Sequence, residues 1–379
     1  MEKRIIQISQ PSMGQEEWEA AKEPIFSGWI TQGPKVKTLE TNFANMHGVS
    51  HALAVSNCTT ALHLALLAVG VKEGDEVIIP AFTWVSTANA VLYCNAIPIF
   101  VDVDPNTFNM DLDKIHEKIT SKTKAIIPVH LFGLCVDVDL IKKNFPKLKI
   151  VEDGACAAGS MINGKYAGSL GDIGCFSFHP RKSITTGEGG MLTTNDEKMA
   201  NYMDVLRNHG ASISEEQRHH GAKPYLLPEF NYMGFNYRMT DIQGAIGVVQ
   251  LSKLNEFINF RDKWAQFYTT QLSQIDWIKP PIVPEGCKHG WQSYVCMIEE
   301  EKAPMSRNDL MEYLQKHGIS TRPGTHAVHM LKFYADKYQL KATDFPGAFQ
   351  CNELSMSIPL HNKMVDEDFY YIIKILKSI

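Results

Sequence analysis

The chain has 379 residues, 44% of them hydrophobic, 10% aromatic and 21% charged, which supplies a sizeable core and excludes a disordered chain. Its 37 basic and 42 acidic residues leave a net charge of −5 and are interspersed, so the basic stripe of a nucleic-acid binder is absent. At about 150 residues per domain, the length predicts two domains, or one large and one small.

In chain order, the first apolar patch, Ile5-Ile6-Gln7-Ile8, stops before Pro11 and is too short for a signal peptide's hydrophobic region. A strand is predicted over 52–55, then a helix with Leu62, Leu66 and Val69 among its apolar positions. Strands follow over 76–80, 98–103, 125–129 and 148–152, separated by helices over 85–93, 112–119 and 138–143. Apolar strands alternating with helices are the pattern of a parallel sheet covered on both faces. Two more strands, 175–178 and 190–194, lie close together, and the polar stretch 212–223, with His219 and His220, reads as an exposed loop. An amphipathic helix over 239–254 continues through Phe257 into a second helical stretch near Leu272. Pro280, Pro281 and Pro284 mark a boundary. Beyond it come a strand over 294–298, a helix over 307–317 ended by Gly318, and a last helix over 366–377. The pattern predicts an α/β fold, with a large domain over 1–255, mostly parallel in its sheet, and a smaller α+β domain over 256–379.

No apolar run approaches the roughly 18 residues that cross a bilayer. No two of the eight cysteines have the C-x-x-C spacing of a zinc site, and no disulfide framework is signalled. A cytoplasmic protein with reduced thiols and no membrane or nucleic-acid partner is expected.

Three segments carry chemistry. Lys182 is a single lysine in a loop of small and hydroxylated residues between two apolar strands. It is either an ordinary solvated loop lysine or an amine nucleophile that forms a Schiff base. Glu152 and Asp153 end a buried strand, at the sheet edge where ligands bind. A buried carboxylate needs a positive partner; a pyridinium nitrogen would be one, and a helix cap or loop is the plainer role for a lone Asp. Pyridoxal phosphate (PLP) uses this combination, a lysine imine with an acid at its ring nitrogen. Ser56-Asn57-Cys58-Thr59-Thr60 stands at a strand-to-helix junction. That is a ready phosphate site, or an N-cap made by Thr59 or Thr60.

With these segments in order, the chain resembles the DegT/StrS-type sugar aminotransferases, a branch of the fold-type-I (aspartate aminotransferase-like) PLP enzymes. The resemblance covers residues 28–34, 57–62, 80–84, Glu152-Asp153, the lysine segment ending at Gly190, 234–240 and 322–326. It implies that Lys182 forms the Schiff base and acts as general acid and base, that Asp153 pairs with the pyridinium nitrogen, and that Trp84 stacks on the ring. Thr59 and Ser177 would hold the phosphate together with Asn236 of a neighbouring subunit, which makes a homodimer with shared active sites. Arg238 and His326 would face the substrate. Cys58 stands where glycine is common, and Cys156 where glutamine or histidine often lies near a cofactor oxygen; both are expected at the cofactor. His326 and His329 are three apart, but no third ligand is evident and no metal is expected.

The reaction so implied is transfer of an amino group from glutamate to a keto-sugar carried on a nucleotide. A small phosphorylated ketone or a cyclitol is the alternative acceptor. A sugar dehydratase of this fold would carry histidine in place of Lys182, and a non-catalytic regulator would have no need of Lys182 and Asp153 together.

Overall fold

The computed structural model describes residues 5–212, 225 and 227–379; the loop expected over 212–223, with His219 and His220, lies outside them from residue 213 on. Seven strands form the central sheet in the order β1 (His51–Val55), β10 (Gly190–Thr194), β9 (Ile173–Ser177), β6 (Lys149–Asp153), β5 (Thr123–Ile126), β2 (Glu76–Pro80) and β4 (Ile97–Val101). The last five run parallel, as expected of apolar strands joined by helices. β10 runs antiparallel to both β1 and β9, because no helix over 178–189 carries the chain back across the sheet.

Alternate residues of each strand serve opposite cores. Cys175 and Leu192 join Leu62, Leu64 and Leu66 of α3 (Cys58–Ala68) and Ala88 of α4 (Val85–Tyr93). Phe176 and Met191 join Phe43, Leu254 and Ile258 on the other face. That second face is covered by α2 (Pro34–His47) and α7 (Asp241–Leu272), with α1 (Gln15–Ser27) also packed on α7. Helices α5 (Val138–Asn144) and α6 (Glu197–Arg207) precede α7 among the described residues.

The two helical stretches expected after residue 239 are one helix of 32 residues, started by a capping box between Thr240 and Gln243. It is continuous across residues 255 and 256. Its amino-terminal and middle turns pack Leu251, Leu254 and Ile258 under the sheet. Its second half packs Trp264, Tyr268 and Leu272 into another core with Tyr294, Leu310 and Phe369. α7 approaches α2 so closely that a Cβ on Gly244 would lie 2.6 Å from the backbone nitrogen of Val36. The second core is closed by a sheet of β11 (Ile278–Lys279), β13 (Tyr294–Ile298) and β15 (Ser355–Ile358). Helices Arg307–Lys316 and Asp366–Leu376 pack against it.

Among the described residues two small sheets remain: β12 (Cys287–Lys288) with β7 (Met161–Ile162) and β8 (Lys165–Tyr166), and β14 (His326–Ala327) with β3 (Phe82–Thr83). The helix expected over 112–119 is instead two short 3-10 turns, Leu112–Lys114 and His116–Lys118. Ile115 is its one fully buried side chain, too little apolar anchorage for a lasting α-helix. All eight cysteines are free thiols. Among the described residues, no helix is long and apolar enough to cross a membrane.

Candidate active site

The parallel strands deliver their carboxyl ends to one edge. Asp153 is the last residue of β6 and Ser177 the last of β9. Cys58 opens α3, and Trp84 follows β3. The loop over 178–189 is fastened to the body of the protein. Thr185 Oγ1 donates to the Phe178 carbonyl at 2.7 Å, the Thr186 amide donates to the same oxygen at 3.0 Å, and the Thr185 amide donates to Gln250 of α7 at 3.1 Å. Lys182 is therefore not an ordinary solvated loop residue. Its Nζ donates to Cys156 Sγ at 3.3 Å and lies within electrostatic reach of Cys58 and Asp153. Burial pushes its ammonium down, but the three electronegative neighbours outweigh burial and raise its pKa above the ordinary value. Burial pushes the Cys58 thiol well up, so it stays protonated at neutral pH.

Glu152 and Asp153 are neighbours in sequence and differ in role, because successive strand residues point to opposite faces. Glu152 is fully buried and accepts from the amides of Gly168, Leu170 and Gly171 at 2.7, 2.8 and 2.5 Å. It also accepts from His130 Nε2 at 2.8 Å. The Val136 amide donates to His130 Nδ1 at 3.0 Å, which assigns the ring proton to Nε2. Glu152 is thus a closed internal fastening. Asp153 is different: 5% exposed, it accepts from Thr87 Oγ1 at 2.8 Å and the Ala155 amide at 3.1 Å. Among the described residues it makes no ion pair. Burial raises its pKa, while Thr87, Ala155, Lys182 and His130 pull it back.

At the α3 junction the cap is Asn57, not Thr59 or Thr60. Its side chain accepts from the Thr60 amide at 3.0 Å, and Thr60 Oγ1 donates to the Asn57 carbonyl at 2.7 Å. Thr59 is left free of the capping task. A Cβ on Gly190 would sit 2.5 Å from the Asn57 carbonyl carbon and 2.8 Å from the Cys58 nitrogen, so glycine is required for β10 to pass the α3 amino terminus. Ser177 lies beside it, paired in register with Gly190.

Trp84 is 57% exposed and so is not plain core; His326 meets it edge-on, with ring centroids 5.4 Å apart. The strand pair β3 and β14 brings them together, placing Thr83 opposite His326. His329 is fully buried and its Nε2 lies 3.2 Å from the Ala342 carbonyl, so the two histidines do not share a face. Segment 235–238 docks along the end of β1, where the Ser56 amide donates to the Tyr237 carbonyl at 2.8 Å. Phe235 and Tyr237 stack on each other and meet His63 edge-on. Asn236 points out, exposed. Arg238 donates to Asn208 at 2.8 Å and lines a polar cavity of about 410 Å³ between α2, β1 and α6. Neither Lys182, Asp153 nor Cys156 lines that cavity.

Residue reasoning missed Thr87 and Arg261. Arg261 is buried in α7 with no carboxylate partner among the described residues; it donates to Asn362 Oδ1 at 2.7 Å, the Trp291 carbonyl at 3.2 Å and Ser183 Oγ at 3.4 Å. No local pattern announces either residue, since each acts on a segment far away in sequence. The donor set fits PLP. A buried carboxylate with no ion pair among the described residues, a lysine amine nearby, an exposed indole and the amino terminus of α3 match its pyridine nitrogen, aldehyde, ring face and phosphate in turn.

Residues 11–377 match the model of the DegT/DnrJ/EryC1/StrS aminotransferase family. The spore coat polysaccharide biosynthesis protein SpsC of Bacillus subtilis is 37% identical over 378 residues, covering 99% of this chain and 97% of SpsC. The GDP-perosamine synthase of Caulobacter vibrioides is 37% identical over 378 residues, covering 99% and 98%. Spr1654 of Streptococcus pneumoniae, solved in its PLP form, superposes with a TM-score of 0.90 at 30% identity, covering 99% of this chain and 98% of that one. The chain belongs to the DegT/DnrJ/EryC1/StrS aminotransferase family and is a PLP-dependent aminotransferase.

Proposed function

We propose that the protein moves an amino group from glutamate to the keto carbon of a sugar carried on a nucleotide, as a step in making a surface polysaccharide or glycoconjugate. The observation that carries this reading is the buried Asp153 carboxylate, without a cation of its own, facing the amine of Lys182. A GDP-perosamine synthase and a spore coat polysaccharide protein, each 37% identical, support a nucleotide-linked acceptor.

Each residue has a task that its surroundings allow. Thr59, Ser177 and the amides at the start of α3 hold the phosphate. Trp84 would stack on the ring, with Cys58 and Cys156 helping to hold the cofactor. Asp153 holds a proton on the ring nitrogen. When bound there, PLP supplies an electron sink and a temporary carrier for the amino group. Lys182 anchors the cofactor through Nζ. Nζ would also be the group that takes the proton from the donor's α-carbon and delivers one to the acceptor carbon. His326 borders the space where the sugar lies, and Arg238 binds at the acceptor's outer end. Asn236 completes the phosphate site of a second subunit, so the working unit is a homodimer.

The test is a coupled assay with glutamate as donor and a panel of nucleotide-linked keto-sugars, phosphorylated ketones and cyclitol ketones. Release of 2-oxoglutarate with a nucleotide-linked keto-sugar alone is the expected result. Turnover confined to phosphorylated ketones or cyclitols would reassign the acceptor. No turnover with any acceptor, together with no bound cofactor, would leave the regulatory reading.

A further inference from the structure

Two hydroxyls stand in line behind Asp153. Thr87, on α4, is fully buried and donates from Oγ1 to Asp153 Oδ2 at 2.8 Å. Thr83, the last residue of β3, is 1% exposed, and its Oγ1 lies 3.1 Å from that of Thr87. An ionised carboxylate only accepts hydrogen bonds. The Thr87 proton is therefore committed to Asp153, and the Thr87 oxygen is left to accept from Thr83. Both proton directions are fixed, running Thr83 to Thr87 to Asp153, and each bond polarises the next.

We infer that Thr87, supported by Thr83, is a positioning residue that keeps the Asp153 carboxylate charged and aimed, and thereby sets how firmly the proton stays on the cofactor's ring nitrogen. This rests on the role proposed for Asp153.

The physical reason is the dryness of the site. Burial favours the neutral acid form of Asp153, and the Thr87 hydroxyl is the foremost influence opposing it. The other groups facing Asp153 are the Ala155 amide, Lys182, His130 and the thiols of Cys58 and Cys175. Glu152 turns away to its own amides and His130. Without the Thr87 hydroxyl, one oxygen of a buried carboxylate has no donor. The carboxylate becomes the stronger base and draws the ring proton to itself. A ring that has lost positive charge no longer holds down the basicity of the nitrogen joining it to Lys182, so that nitrogen keeps its proton to higher pH. The relay begins on the strand that pairs with β14 and bears Trp84 at its end, so it joins the proposed acceptor side of the site to the ring nitrogen.

The experiment titrates the visible absorbance of purified holoenzyme against pH for Thr87→Val, Thr87→Ser and Thr83→Val. Valine keeps threonine's shape and lacks the hydroxyl; serine keeps the hydroxyl. The midpoint is expected to rise by about one pH unit in Thr87→Val, to stay at the wild-type value in Thr87→Ser, and to rise by less in Thr83→Val. An unmoved midpoint in Thr87→Val, or a serine variant shifted as far as valine, would overturn the inference. Should Thr87→Val not fold, Thr83→Val decides alone: a smaller upward shift supports the relay and a wild-type midpoint sinks it. A wild-type holoenzyme with no visible band would instead fail the reading of the site, and the relay with it. An Asp153→Asn variant with a wild-type midpoint would do the same.

Discussion

Lys182 Nζ lies 3.3 Å from Cys156 Sγ, so the amine of the loop between β9 and β10 meets the thiol just past the end of β6. The loop reaches that point because Thr185 and Thr186 bind it back onto Phe178 and α7. Its threonines are thus structural supports for a half-buried amine.

Lys182→Ala is expected to lose both the visible absorbance of bound PLP and its turnover, since no other amine is expected to replace it. The check is a spectrum of protein loaded with PLP and then dialysed, read beside the glutamate assay. A variant that transaminates at the normal rate would remove Lys182 from the mechanism.

Asp153→Asn should separate binding from chemistry. Asparagine is nearly the same shape and keeps contact with Thr87, but it cannot hold a proton on the ring nitrogen by charge. Turnover should fall on the order of 100-fold, the scale of losing one preorganised electrostatic partner, with a smaller change in PLP affinity. Equal losses in the two would mean that Asp153 serves only to bind.

What the sequence makes legible follows from how local each signal is. The run Glu76–Pro80 reads as a buried strand because every residue it needs is its own. Lys182 and Asp153 stand out because a lone amine and a buried acid are chemically conspicuous where they occur. Helix α2 is harder to read. Its N-cap is Gly33, with no side-chain bond, and the Lys35 and Val36 amides are instead bound by the Asp241 carboxylate at 3.1 and 2.8 Å. Pro34 at its first position is a local start signal, but the capping carboxylate comes from α7 and leaves no trace near Gly33. Thr87 is hidden for the same reason: along the chain it is an ordinary helix residue, and only the folded chain, which brings it to the end of β6, gives it a carboxylate.

Acid stability should depend on Glu17. This buried side chain of α1 binds Lys253 Nζ at 2.7 Å and Gln250 Nε2 at 2.8 Å on α7, and accepts from the Gly14 amide at 2.7 Å. Burial pushes its pKa up, but these bonds outweigh it and bring it down to about 2. A depressed acid stabilises the fold above the ordinary carboxyl range, and that contribution is lost as pH falls toward the folded-state value. Glu17→Gln is therefore expected to cost about 2 kcal/mol at pH 7, with the gap to wild type closing between about pH 5 and pH 2. Chemical denaturation across that range is the check. A gap independent of pH would mean that the loss is one of packing.

The assembly prediction rests on Asn236. Phe235 and Tyr237 turn inward onto His63, so the alternation of an extended segment turns Asn236 outward, where it is exposed. Around it lie Tyr232 and Met233, at 52% and 83% exposure, and Phe230 at 64%. An outward amide among exposed apolar side chains suits an interface between copies. In a twofold dimer the same contact is made twice. If Asn236 holds the partner's cofactor phosphate, Asn236→Asp sets a carboxylate against that phosphate and silences the partner's site, not its own. Mixing these chains with Lys182→Ala chains then gives hybrids in which one site carries both lesions and the other carries neither. With random exchange, half the dimers are hybrids with one intact site each, so activity should return to roughly a quarter of wild type. Each parent alone should be inactive. No recovery after mass spectrometry has shown hybrid dimers, or a monomer that is fully active in sedimentation, would rule out a shared site.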